Sequence, residues 1–166
     1  RLLGRPHYVV GTVVEGAKRG RSIGIPTANL DVPVELAVPP RGVYAGWMQV
    51  DDKSYPAVTN IGLRPTFEGD ERTTVEAHLI DFSGDLYGRH LEVEFVARLR
   101  DEEKFPGLPE MTAQMHRDAA QARAILSAHA EAARAAAPGR AGTEHDHSPQ
   151  SPAPTGADSL KAAVRR

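Results

Sequence analysis

The chain has 166 residues, 40% hydrophobic and 25% charged, with no cysteine and a formal net charge of −2. Such values fit one globular domain with its own core, and they exclude disulfides, thiolate metal centres and cysteine nucleophiles. The slightly acidic balance argues against nucleic-acid binding, and no apolar run nears the ~18 residues that span a bilayer.

No secretory signal opens the chain, so a cytoplasmic protein with no membrane partner is expected. The first residue is Arg1 rather than methionine, which leaves room for an upstream domain in a longer parent.

In chain order, "HYVVGTVVEG" is β-branched and ends in glycine, the pattern of a strand entering a loop. The next stretch, "GAKRGRSIGIPTANLD", crowds Gly16, Gly20 and Gly24 with Lys18, Arg19 and Arg21. Its spacing fits neither G-x-x-x-x-G-K-[ST] nor the kinase G-x-G-x-x-G. The ingredients still suit an anion: glycines let backbone N–H groups approach a polyphosphate, and the three cations supply charge. Pro26 biases Ile25 toward an extended conformation. In an extended run Thr27 and Asn29 point to one side, and their oxygens suit Mg²⁺ shared with phosphates and water. The same residues read equally well as a surface loop with an Asn-capped turn.

"GVYAGWMQVDDKSYPAVTNIG" predicts a hairpin turning at Asp51-Asp52-Lys53. "RTTVEAHLID" alternates, with Val75, Ala77 and Leu79 on one face and Thr74, Glu76 and His78 on the other. Glu76, mid-strand, could take a proton from an alcohol nucleophile; read alone, it is better taken as a solvated outer-face glutamate. "HLEVEFVARLR" places Leu91, Val93, Phe95, Ala97 and Leu99 on one face. No helical stretch separates these strands. That predicts an antiparallel sheet, and closure into a barrel would remove its edges.

The period then changes. "LPEMTAQMHRDAAQARAILSAH" predicts a helix with Pro109 near its start and Leu108, Met111, Met115, Ala122, Ile125 and Leu126 facing the barrel. Residues 1–130 are read as the domain. Residues 131–166, rich in Ala, Pro and Gly without aromatics, are read as a disordered tail, with His145 and His147 as part of a solvated segment.

Five stretches, in this order, resemble the riboflavin kinase family: "GRPHYVVGTVVEGAKRGRSIGIPTANL", "PPRGVYAGW", "YPAVTNIGLRPTF", "TTVEAHLIDFSGDLYG" and "VARLRDEEKFPGLPEM". They are similar to the kinase module at the C-terminus of bacterial bifunctional FAD synthetases and span roughly residues 4 to 127. The resemblance implies a mainly β fold, a six-stranded antiparallel Greek-key barrel with a C-terminal α-helix packed outside it. It implies transfer of the ATP γ-phosphoryl group to the riboflavin 5′-hydroxyl, giving FMN and ADP.

By the same resemblance Glu76 is the base, and Thr27 and Asn29 sit at Mg²⁺ and the phosphates. Gly16, Lys18, Gly20, Arg21 and Gly24 cover the nucleotide, with Tyr87 of D-L-Y-G at its wall. Ile25, Arg100, Glu103 and Phe105 fall at the flavin. Ile25 stands where bacterial members commonly carry phenylalanine, so a ring-stacking contact is expected to be absent. An upstream FMN adenylyltransferase domain is implied for a longer parent. The alternative is a catalytically silent flavin- or RNA-binding barrel.

Overall fold

A computed structural model of the chain describes residues 7–16, 25–33, 35–65 and 71–136. Its strands are β1 (His7–Val14), β2 (Ala28–Asp31), β3 (Gly42–Val50), β4 (Lys53–Pro65), β5 (Glu71–Leu79) and β6 (His90–Arg100), followed by helix α1 (Leu108–Ala136). The strands close into a barrel in the order β1-β2-β5-β4-β3-β6, and every pairing is antiparallel. Three consecutive strands, β3 to β5, are joined in sequence, and β6 returns beside β3, which is the Greek-key arrangement.

Alternation explains the interior. Val9 and Val13, Ala28 and Leu30, Met48 and Val50, Ala57 and Ile61, Val75, Ala77 and Leu79, and Leu91, Val93 and Phe95 fill one buried cluster. The β3–β4 hairpin turns at Asp51 and Asp52, with Val50 opposite Lys53 and Asp51 at a left-handed φ of 54°, a conformation Asp tolerates better than most residues.

On β6 the expected single face fails. The β3–β6 register shifts between Val43 and Tyr44 and again between Ala45 and Gly46. These bulges leave Leu99 and Val96 as extra residues, and each bulge re-aims the chain. Both side chains pack outside the barrel with Ala45, Trp47, Val58 and Ile80 against Ala119, Ala122 and Leu126 of α1. This second core holds the helix on the barrel.

The helix differs from expectation in two ways. It runs to Ala136, past the expected boundary at residue 130. Its buried residues are Asp118, Ala122 and Leu126, whereas Leu108 is half exposed. A carboxylate therefore occupies an apolar-stripe position. Asp118 accepts from Arg100 Nε at 3.1 and 3.2 Å, from Arg100 Nη2 at 2.8 Å and from Gln114 Nε2 at 2.8 Å. The ion pair stitches the end of β6 to α1. Among the described residues no helix is long and apolar enough to cross a membrane.

Candidate active site

The helix packs on β3, β4 and β6, over Val58 and its neighbours, and β5 and β2 follow on the other side of β4 in the barrel. Strand pairing decides what stands there. Asn29 on β2 lies opposite Glu76 on β5, and Glu76 lies opposite Asn60 on β4. Adjacent strands are about 4.8 Å apart, so three polar side chains form a row across three strands, with the carboxylate in the middle. Glu76 is about one-third exposed, and its one ionic neighbour among the described residues is Arg64, at 3.7 Å.

Thr27 and Asn29 both lie on the half-buried outer face, separated by buried Ala28, as an extended run requires. The preceding turn is held by His78, whose Nδ1 donates to the Pro26 carbonyl at 3.0 Å. Because a carbonyl only accepts, this contact assigns the proton to Nδ1. Thus β5 supplies both Glu76 and the anchor for Pro26-Thr27-Ala28-Asn29.

On the far side of Thr27 is a cavity of about 440 Å³, lined by Val13, Pro26, Thr27, Leu79, Phe82 and Tyr87 among others. Tyr87 and Thr27 therefore line one cavity. The loop owes its shape to Gly88 at φ 73° and to Asp85, which accepts from the Tyr87 amide at 3.0 Å. Glu76 is not in the cavity wall; it lies on the neighbouring strand opposite Asn29.

The remaining expected residues divide. Gly16 is described and lies so near Asn29 that an added Cβ would overlap the Asn29 amide. Lys18, Gly20, Arg21 and Gly24 lie outside the described residues. Ile25 is buried, with 5% exposure, but belongs to neither of the two core clusters. Arg100 commits its guanidinium to Asp118, donates from Nη1 to the Asp101 carbonyl at 2.8 Å, and stands 5.8 Å from the Phe105 ring centre. Glu103 is exposed, 3.9 Å from Arg100. These contacts organise the segment 101–105 around Arg100.

Two residues escaped the sequence reading. Asn60 donates from Nδ2 to Glu102 Oε1 at 3.0 Å, and Glu102 also pairs with Arg41 at 3.2 Å. Asn60 could have been found by counting forward from the Asp51-Asp52 turn, which sets the outward face of β4. The approach of Glu102 depends on how the 101–105 segment folds back, and no local pattern encodes that.

Among the described residues no group of three or more His, Asp or Glu side chains could hold a metal. The available donors near Glu76 are the neutral oxygens of Thr27 and Asn29. That set fits Mg²⁺ that takes most of its coordination from phosphates and water.

Residues 3–126 match the family model for riboflavin kinase, Flavokinase. The chain is 45% identical over 131 residues to a bifunctional riboflavin kinase/FMN adenylyltransferase of Pseudomonas fluorescens, covering 78% of this chain and 42% of that protein. It therefore spans about two fifths of the length of the curated relatives it matches. Among solved structures, riboflavin kinase from Trypanosoma brucei superposes with a TM-score of 0.57 at 25% identity, covering 75% of this chain and 82% of that one. A chain described as a macrolide-efflux protein from Streptococcus pneumoniae gives a TM-score of 0.69 at 36% identity, covering 74% and 40%. Since the matched family model takes in nearly all of the barrel and most of the helix, the chain belongs to the riboflavin kinase family.

Proposed function

We propose that this chain transfers the γ-phosphoryl group of ATP to the 5′-hydroxyl of riboflavin, forming FMN and ADP. The observation that carries the reading is one carboxylate, Glu76, in register with Asn29, which itself follows by two residues a threonine that lines a cavity. A cavity of about 440 Å³ is within the usual range for a small-molecule site. It would seat the nucleoside, with Phe82 and Tyr87 on its wall and the phosphates running past Thr27 toward Asn29. The flavin would then enter from the opposite side, between Glu76 and the 101–105 segment, bringing Glu103 and Phe105 into its surroundings, while buried Ile25 would reach it only if the neighbouring chain shifted.

Phosphoryl transfer is mostly positioning and charge neutralisation. Glu76 orients the hydroxyl and accepts its proton as the oxygen bonds to the γ-phosphorus and the bond to the β-γ bridging oxygen breaks. His78 holds Pro26, and so fixes where Thr27 and Asn29 stand. Thr27 and Asn29 would hold Mg²⁺, which when bound neutralises charge on the β- and γ-phosphates. Lys18, Arg21 and the glycines of the loop, Gly16, Gly20 and Gly24, would add donors to the same phosphates.

The wider setting follows from the same reading. A cytoplasmic enzyme without nucleic-acid partners suits the absence of cysteine and the net charge of −2. The bifunctional relatives, of which this chain matches about two fifths, support an FMN adenylyltransferase domain in a longer parent. Residues 131–166, of which 131–136 complete α1, are proposed as a tail outside the catalytic domain. The test is a discontinuous assay with riboflavin, ATP and MgCl₂, separating FMN from FAD. FMN without FAD is expected; riboflavin binding without FMN would favour a silent flavin-binding barrel.

A further inference from the structure

Glu76 has an amide on each side of it, and the one on β4 behaves unexpectedly. Asn60 is its direct cross-strand partner, and side chains so paired are about 5 Å apart at Cβ. A side-chain NH₂ opposite a carboxylate can reach it, and the resulting charge-assisted hydrogen bond is strong. Among the described residues, however, the Asn60 amide donates not to Glu76 but to Glu102 Oε1, at 3.0 Å. Because a carboxylate only accepts, this contact also settles which end of the Asn60 amide faces Glu102.

Glu102 is held for that task from three directions. Arg41 Nη2 pairs with its other oxygen at 3.2 Å. Its carboxylate lies over Gly62, where an added Cβ would overlap it and push it aside. Its backbone follows Asp101, whose carbonyl accepts from Arg100, itself anchored to buried Asp118.

We propose that Glu102 is a positioning residue for the phosphoryl acceptor: by engaging the Asn60 NH₂ it keeps that donor off Glu76, leaving the Glu76 carboxylate available to the substrate hydroxyl. The inference rests on the kinase reading and on Glu76 as its base. It adds that the segment after β6 prepares the base as well as enclosing the flavin.

The test uses the full chain and steady-state kcat and KM for riboflavin and for MgATP. Glu102→Ala frees the Asn60 amide; kcat is expected to fall roughly tenfold, the worth of one misdirected hydrogen bond, with both KM values within about twofold. Glu102→Gln, whose carbonyl can still accept from Asn60, should recover most of kcat. The double variant Glu102→Ala/Asn60→Ala should also recover, because the competing donor is gone. In a Glu76→Ala background Glu102→Ala should have no further effect. Unchanged kcat in Glu102→Ala, a rise in riboflavin KM alone, or no recovery in the double variant would each overturn the proposal. Amide ¹⁵N NMR separates this failure from failure of the kinase reading. The Asn60 side-chain resonances should be protected in wild type and lose that protection in Glu102→Ala, whatever the catalytic activity. Unprotected Asn60 in wild type also overturns the proposal.

Discussion

Replacing Asp118 by alanine removes the counter-charge of the most buried ion pair described in the protein. The Asp118 side chain is 3% exposed and that of Arg100 20%. Truncation leaves a guanidinium that has lost three of its contacts. Breaking a fully buried pair costs about 3–5 kcal/mol. Two features lower that here: one fifth of Arg100 reaches solvent, and the Asp101 carbonyl and Glu103 remain beside it. A loss of about 2–3 kcal/mol is expected. In urea, at a slope of about 2 kcal/mol per molar, that moves the midpoint down by about 1 M with the slope unchanged. Asp118→Asn keeps one acceptor and should fall between. The pair Arg100→Met with Asp118→Leu should return to within about 1 kcal/mol of wild type, since a packed apolar pair replaces a desolvated ionic one. If Asp118→Ala lost less than about 0.5 kcal/mol, the stitch between β6 and α1 would not be what secures the helix, and the reasoning would fail.

Three further outcomes follow from single contacts. Gly16→Ala places a methyl group against the end of the Asn29 side chain, which can swing aside; the thermal midpoint should stay within about 2 °C, while kcat/KM for MgATP falls roughly tenfold from the displaced amide. Thr59 is 1% exposed and its hydroxyl has no partner among the described residues, so Thr59→Val should raise stability by about 1 kcal/mol in the same urea assay. The hydrogen bond from Arg123, at 2.7 Å, holds the Asp81 carboxyl below its usual value of 3.8. A depressed carboxylate stabilises the fold above its unfolded pKa and loses that effect as pH falls through the folded one. Asp81→Asn, which tolerates the same φ of 60°, should therefore lower the thermal midpoint slightly at about pH 6 and match wild type well below pH 3.8. An equal difference at both pH values would contradict the pairing.

Much of the barrel was legible because its strands obey a period of two. The alternation around Val75, Ala77 and Leu79 identified both the core face and the outward side of Glu76, and the Asp51-Asp52 turn fixed the hairpin. What the pattern could not convey depends on contacts distant in sequence. The bulges of β6 that send Val96 and Leu99 outward arise from pairing with β3, and each shifts the face of every following residue. The burial of Asp118 carries no signal within the helix; it depends on Arg100, on another element. Asn60 and Glu102 are 42 residues apart, and neither carries a local signal. The resemblance supplied Glu76, Thr27 and Asn29. Register then put Asn29 and Glu76 side by side, which no spacing in the sequence could do.

The central claim is that Glu76, in register with Asn29 beside the Thr27 cavity, takes the proton of the acceptor hydroxyl. It is tested most directly by measuring FMN formation from riboflavin and MgATP by wild type and Glu76→Ala, each first verified by its thermal midpoint. The expected result is FMN from wild type and a fall in kcat of roughly 10²–10⁴ in the variant, the usual scale for a general base. Equal turnover by the two would remove Glu76 from the chemistry while leaving the kinase; no FMN from wild type, despite riboflavin binding, would contradict the kinase itself.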